Sequence, residues 1–221
     1  MLQIIIKNKV LFSGYILVFI VCLLFLLSHG KSQSHLFLTG FRSVFLEETM
    51  KIFTWLGDGI FMVLAGILLL FQRVRHGLII LASFLASSLV VQLLKRFVFE
   101  DCNRPVAWFH ELGIEINRIE GLQYYTSFSF PSGHTTTAFA MFFGFAFFVR
   151  NTGLKLLFLV LAIITGFSRI YLSQHFMGDV LAGSVIGILT AIATHVLFQK
   201  AQSEWLNENI ISLIRKRNVE I

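Results

Sequence analysis

The sequence predicts an all-α, polytopic membrane protein, a helical bundle of six transmembrane helices, and three observations carry that expectation. The chain of 221 residues is 56% hydrophobic and only 14% charged, against about 25% charged residues in a soluble domain. Apolar stretches, each close to the ~20 residues that cross hydrocarbon, recur at residues 10–28, 53–71, 77–95, 133–150, 154–172 and 179–198. The basic residues between them gather on one side. The length suits one domain, with a core over 53–198 and a tail over 199–221.

Each stretch has its own character. The first, 10–28, is too long for a signal-peptide core and has no small-x-small cleavage site, so it reads as an uncleaved anchor. The second carries Asp58 in its first turns. Ionisable groups in spans are functional suspects, but this one lies near the outer end, where plain interfacial placement also accounts for it. Residues 34–52 mix Phe37, Phe41, Val44 and Phe45 with Arg42, Glu47 and Glu48, the pattern of a helix lying in the membrane interface. The third stretch contains Gln92 and ends at Lys95. A long loop, 96–131, follows, with Trp108, Phe109, Tyr124, Tyr125, Phe128 and Phe130, rings suited to the headgroup layer. The sixth holds Gly183 and Gly187, a spacing for close helix packing, and His195, read as structural. The tail pairs Trp205, Leu206, Ile210 and Ile214 with Arg215, Lys216 and Arg217, as a surface helix does.

An even number of crossings puts both termini on one side. That side holds Lys7, Lys9, Arg73, Arg75, Arg150, Lys155, Lys200, Arg215, Lys216 and Arg217 against Glu204, Glu208 and Glu220, ten against three, or +7. The other side holds eight basic and nine acidic residues, −1, and the two make up the net +6. The positive-inside rule then places the termini in the cytoplasm, in what reads as a bacterial inner membrane. The same basicity is no sign of a nucleic-acid partner, because it forms no single stripe. Cys22 and Cys102 make no disulfide framework.

On the outer side fall three short blocks. His175 and Asp179 are four apart, so one helical turn puts them on one face. A carboxylate on one ring nitrogen fixes the tautomer and leaves the other nitrogen free as a nucleophile. Alone, that pair is equally a helix start with an Asp near the positive dipole end. Arg169, at the outer end of the fifth stretch, reaches the same place and can fork onto phosphate oxygens. Pro131-Ser132-Gly133-His134 opens the fourth stretch. Its Ser caps the helix, its free N–H groups bind anions, and its His can protonate a leaving alkoxide. By itself this too is an ordinary helix start. Lys95 and Arg104-Pro105 supply two more cations, with Arg96 as a rival for either role. The joint pattern is stronger than any block.

Taken together the chain resembles the type 2 phosphatidic acid phosphatase superfamily, lipid phosphatases that share a core with vanadium haloperoxidases. That family's pattern is Lys-x6-Arg-Pro, Pro-Ser-Gly-His and Ser-Arg-x5-His-x3-Asp. The second and third blocks match without gaps, and the first has two extra residues between Lys95 and Arg104. The resemblance covers roughly 53–198. It implies a metal-independent, cofactor-free phosphatase with an outward-facing site. His175 would attack phosphorus and form a phosphohistidine, oriented by Asp179. His134 would protonate the leaving group. Lys95, Arg104, Ser132, Gly133 and Arg169 would hold the phosphate oxygens, three cations standing where many phosphatases use a metal. The expected partner is a lipid of the outer leaflet: undecaprenyl diphosphate, phosphatidylglycerophosphate, phosphatidic acid or a lipid A phosphate. A non-catalytic lipid-binding or transport protein of the same fold is the alternative, and the intact His134, His175 and Asp179 speak against it.

Overall fold

A computed structural model describes residues 2–219, with side chains through Lys216. Glu220 and the side chain of Arg217, counted above with the tail, lie outside the described residues. Among the described residues the order is α1 (Leu2–Lys7), α2 (Lys9–Thr39), α3 (Val44–Trp55), α4 (Gly59–Leu70), α5 (Val74–Phe97), α6 (Pro105–Glu111), α7 (Gly133–Phe148), α8 (Thr152–Tyr171), α9 (Met177–Lys200), a 3-10 turn (Glu204–Asn207) and α10 (Ile210–Val219). Several starts are set by short polar side chains. Ser43, Asp58, Ser132 and Asn151 each accept an orphan backbone N–H of the helix they precede.

The bundle is organised around α7. Its residues from Thr135 to Gly144 are buried, and Phe139, Phe142 and Phe143 join Leu11 and Phe12 of α2 and Ile188 and Ile192 of α9 in one apolar core. The paired glycines of α9 let it lie directly on α7, since a Cβ at position 183 would sit 2.7 Å from the Ser132 carbonyl oxygen. Outward faces are apolar instead of polar. Leu17, Val21 and Leu24 of α2, Leu85 and Leu89 of α5, and Leu189 and Leu197 of α9 are all exposed. Helices arranged this way need hydrocarbon, not water, as their solvent.

Four helices, α2, α5, α8 and α9, are long and apolar enough to cross a membrane, and α3 with α4 makes a fifth candidate bent by 50°. The expected second span, 53–71, is thus a broken pair. Its break falls at Leu56–Asp58, where a Cβ on Gly57 would lie 2.6 Å from the His134 carbonyl oxygen. Asp58 then restarts the chain as the α4 cap. The fourth expected span is present as α7, but with 16 residues it is shorter than a full crossing and is sheltered by its neighbours. Helix length therefore supports four or five crossings of the six.

Two connecting segments also differ from expectation. Residues 34–52 are not one interfacial helix. The first helix runs on to Thr39 and is broken at Gly30, whose φ of 72° is left-handed backbone that glycine adopts without a Cβ penalty. The piece after the break lies against the site loops, with Ser32 Oγ accepting from Trp108 Nε1 at 3.0 Å and His35 Nε2 3.2 Å from Ser173 Oγ, and Ser43 opens α3 separately. The loop 96–131 contains α6, and Phe109 is fully buried rather than at the interface, packed against His35 and Phe176. The tail is held to the start of α5. Val74 N–H donates to the Glu208 carbonyl oxygen at 2.8 Å, and Arg73 donates to Asn207 Oδ1 at 2.9 Å.

Candidate active site

At one end of the bundle lie the first turns of α7 and α9 and the last turns of α5 and α8. The order of the helices alone brings Lys95, His134, Arg169, His175 and Asp179 to that end, and the loop before α6 adds Arg104. The two arms of the loop pair through Arg104 N–H to Thr126 O at 2.8 Å and Ser129 N–H to Cys102 O at 2.9 Å. Ser132 N–H donates to the Asp179 carbonyl oxygen at 3.0 Å, tying the start of α7 to that of α9. Phe128 and Ser173, in the two loops beside the site, have φ of 55° and 52°, uncommon for non-glycine residues and frequent where function fixes a backbone.

His175 and Asp179 are both buried. Nδ1 of His175 lies 3.3 Å from Asp179 Oδ2, and that oxygen also accepts from Ser129 Oγ at 2.5 Å and from Phe176 N–H at 2.9 Å. A carboxylate only accepts, so Nδ1 carries the proton and Nε2 keeps its lone pair. Burial pushes the His175 imidazole down to about 3; the hydrogen bond and charge of Asp179 oppose this, while Arg104 and Arg169 add to it. A neutral ring in this tautomer has a lone pair on Nε2 to offer an electrophile.

The cations are held by carbonyl and hydroxyl oxygens, not by carboxylates. Lys95 is buried and its Nζ donates to the Phe128 carbonyl oxygen at 2.8 Å, leaving two protons. Arg96 is exposed. Arg104 donates from Nε to Ser127 O at 2.9 Å and from a terminal nitrogen to Gln174 O at 3.2 Å, and its guanidinium lies over the Tyr125 ring. Arg169 bonds Thr54 Oγ1, while its buried Nε has no partner. A buried donor without an acceptor is costly, and a phosphate oxygen would satisfy it.

His134, partly exposed, lies within electrostatic reach of Arg169, His175, Arg104 and Lys95. Its Nε2 is 4.0 Å from Asp58 Oδ2, while Asp58 Oδ1 accepts from Ile60 N–H at 2.8 Å. Asp58 thus caps α4 and faces a site histidine with its other oxygen. A cavity of about 170 Å3 opens beside His134, lined by Gly57, Ser88, Gln92 and Gly133. Ser132 Oγ accepts from the Thr135 N–H and hydroxyl at 3.4 and 2.9 Å. Gly133 has only Val91 near its Cβ position, at 3.9 Å, so packing alone does not demand a glycine there.

All eight residues singled out in the sequence lie at this end. Sequence reasoning missed Ser129, which fixes the Asp179 carboxylate, and Thr54, which anchors Arg169. Asp58 carried a signal, a charge inside a span, but its partner is 76 residues away in sequence. Ser129 and Thr54 carried none.

Comparison with known proteins bears on this arrangement. The model of the PAP2 superfamily matches residues 76–203. The phosphatidylglycerophosphatase B of Bacillus subtilis strain 168 is 28% identical over 162 residues, 67% of this chain and 73% of that one. A lipid A 1-phosphatase of Rhizobium etli is 28% identical over 186 residues, 74% of this chain and 79% of its own. The crystal structure of a transmembrane PAP2 type phosphatidylglycerolphosphate phosphatase from Bacillus subtilis shares the fold, with a TM-score of 0.65 at 24% identity. It covers 90% of this chain and 98% of that one.

Proposed function

The chain belongs to the PAP2 superfamily, and we propose that it is a lipid phosphatase that hydrolyses a phosphate monoester or diphosphate through a phosphohistidine, without a metal. His175 Nε2 attacks phosphorus as the bond to the leaving oxygen breaks, and His134 gives that oxygen its proton. Asp179 holds Nδ1–H and stabilises the imidazolium character that develops on His175. In the second step His134 takes a proton from water, the hydroxide attacks phosphorus, the P–N bond breaks, and inorganic phosphate leaves with His175 neutral again. Phosphoryl transfer is mostly positioning and charge stabilisation. Lys95, Arg104, Arg169, the Ser132 hydroxyl and the Gly133 N–H supply both. Asp58 lies beside the proton donor, with Oδ2 4.0 Å from His134 Nε2.

The observation that carries this reading is the buried His175–Asp179 pair with its free Nε2, facing three cations whose protein partners are all neutral oxygens. Its test is phosphate release by purified protein from phosphatidylglycerophosphate, phosphatidic acid, undecaprenyl diphosphate and lipid A. Release that persists in EDTA and is inhibited by vanadate, a mimic of pentacoordinate phosphorus, is expected. Strict dependence on added Mg²⁺ would sink the metal-free route.

We infer six crossings, with α7 and the bent α3–α4 pair each completing one, the termini in the cytoplasm and the site outside an inner membrane. The +7 against −1 charge asymmetry supports this orientation. With Cys22 and Cys102 replaced, a cysteine introduced within 111–123 should react with an impermeant reagent in intact cells, and one within 72–77 only after permeabilisation. The reverse labelling would turn the protein over.

A further inference from the structure

The other end of the bundle carries a second polar chamber. The last turns of α7 and α9, the first turn of α8 and the α1–α2 junction surround a cavity of about 380 Å3, within the roughly 300–1,000 Å3 of small-ligand pockets. The 16 residues of α7 separate it from the site by roughly 24 Å. Lys7, Asn8, Arg150, Lys155, His195 and Gln199 line it, and no Asp or Glu does so among the described residues.

Its buried polar groups are only partly satisfied. Lys155 is 8% exposed, yet its ammonium has one acceptor, the Lys7 carbonyl oxygen at 3.3 Å. Asn8 is 6% exposed. Its Nδ2 donates to Ile4 O at 2.8 Å, and its buried Oδ1 has no partner. His195 is 7% exposed, with Nε2 at 2.8 Å from the Gln199 amide nitrogen. An amide nitrogen only donates, so Nε2 accepts and the proton sits on Nδ1, which is buried and also without a partner. The chamber is therefore lined by an under-bonded ammonium and by two residues, Asn8 and His195, that each hold a buried polar atom without a partner, with the exposed Lys7 and Arg150 adding positive charge. A buried charge left unpaired is strongly unfavourable, and an anion removes the deficit.

We propose that this chamber binds a phosphate monoester-type group, as free phosphate or as the headgroup of an anionic lipid in the adjacent leaflet. Three cations suit a doubly charged oxyanion. The Asn8 acceptor suits a P–OH, which hydrogen phosphate carries as the dianion and a phosphate monoester carries as the monoanion, whereas sulfate has none. This site is distinct from the candidate active site, and its ligand is not turned over, because the chamber has no carboxylate to prepare a nucleophile.

The test uses full-length Arg169→Ala protein in detergent, so that binding at the candidate active site is weakened. Thermal-shift titrations are run with inorganic phosphate, sulfate, short-chain phosphatidic acid and short-chain phosphatidylcholine. A saturable rise in Tm with phosphatidic acid is expected, with sulfate weaker and phosphatidylcholine inert. An equal rise with inorganic phosphate assigns a free-anion site, and its absence assigns a headgroup site. Adding Lys155→Met should weaken apparent affinity by about tenfold or more, as loss of a charged hydrogen bond does. His195→Phe serves as the second probe where Lys155→Met does not fold. No shift with either phosphate ligand, or a shift untouched by these substitutions, overturns the proposal.

Discussion

Two histidines with the same local spacing, at opposite ends of α9, have opposite chemistry. His175 bonds Asp179 and His195 bonds Gln199, each four residues on. The carboxylate accepts from Nδ1 and leaves Nε2 with a lone pair. The amide donates to Nε2, uses up its lone pair and leaves Nδ1 as a donor. The first ring can attack phosphorus and the second can only hold an anion. Both ends gather three cations, so positive charge alone does not separate a reacting site from a binding one. The partner of the imidazole does.

The sharpest way to break that contrast is at His175. His175→Ala should abolish turnover and any trapped phosphoenzyme, and a phosphoenzyme in that variant would remove the nucleophile assignment. Asp179→Asn converts the first pair toward the chemistry of the second. It should lower kcat by about 10⁴-fold, the scale seen when an Asp that fixes a catalytic His tautomer is neutralised. His134→Ala removes only a proton donor and should cost about 10²–10⁴-fold on lipid alkyl phosphates. The loss should be smaller on p-nitrophenyl phosphate, whose leaving group needs no proton. Equal losses for His134→Ala and His175→Ala on both substrates would contradict the division of labour.

The cations come next. Arg104→Ala and Arg169→Ala should each cost about 10²–10³-fold, the scale for one preorganised donor. Lys95 is buried toward the site and Arg96 is exposed, so Lys95→Ala should join them while Arg96→Ala stays near wild type in a phosphate-release assay. A dead Arg96→Ala with an active Lys95→Ala would mean that the first block is misaligned. Asp58→Asn keeps the oxygen that caps α4 and removes only the charge facing His134. About a tenfold loss on alkyl phosphates is expected from losing the carboxylate that faces the proton donor at 4.0 Å, and an unchanged rate would remove Asp58 from the site.

The sequence carried much of this geometry, because apolar periodicity marks a span and helix order then decides which ends meet. The blocks at 131–134 and 169–179 were legible because each is local. What was not legible is non-local or conformational. The break at Gly30 depends on a backbone angle, and the bend at 56–58 depends on Gly57 lying against the His134 carbonyl. Ser129 matters only because the loop pairs with Cys102. The cavity at the far end was not legible because His195 and Lys155, 40 residues apart, read separately as a structural histidine and one of the basic residues of the cytoplasmic side.

The smallest effect tests why the His175 ring is a free base at all. Its ordinary pKa is about 6.5, and burial lowers it to about 3 in the fold despite the Asp179 hydrogen bond. Between those values the unfolded chain takes up a proton that the folded one refuses. Folding stability therefore falls as pH drops from about 6.5 toward 3, and above 6.5 this group adds no slope. The check is the unfolding midpoint of wild type and His175→Gln across pH 4–8. The wild-type midpoint should fall more steeply below pH 6.5, because Gln cannot be protonated and every other histidine is common to both proteins. Parallel curves would mean that Asp179 offsets the burial and that His175 titrates near its ordinary value of about 6.5 in the fold. Vanadate or phosphate in the site should flatten the wild-type slope, since an anion beside the ring favours its charged form. That flattening should be absent in His175→Gln, which ties the acid sensitivity to the nucleophile and not to the histidine at the far end of α9.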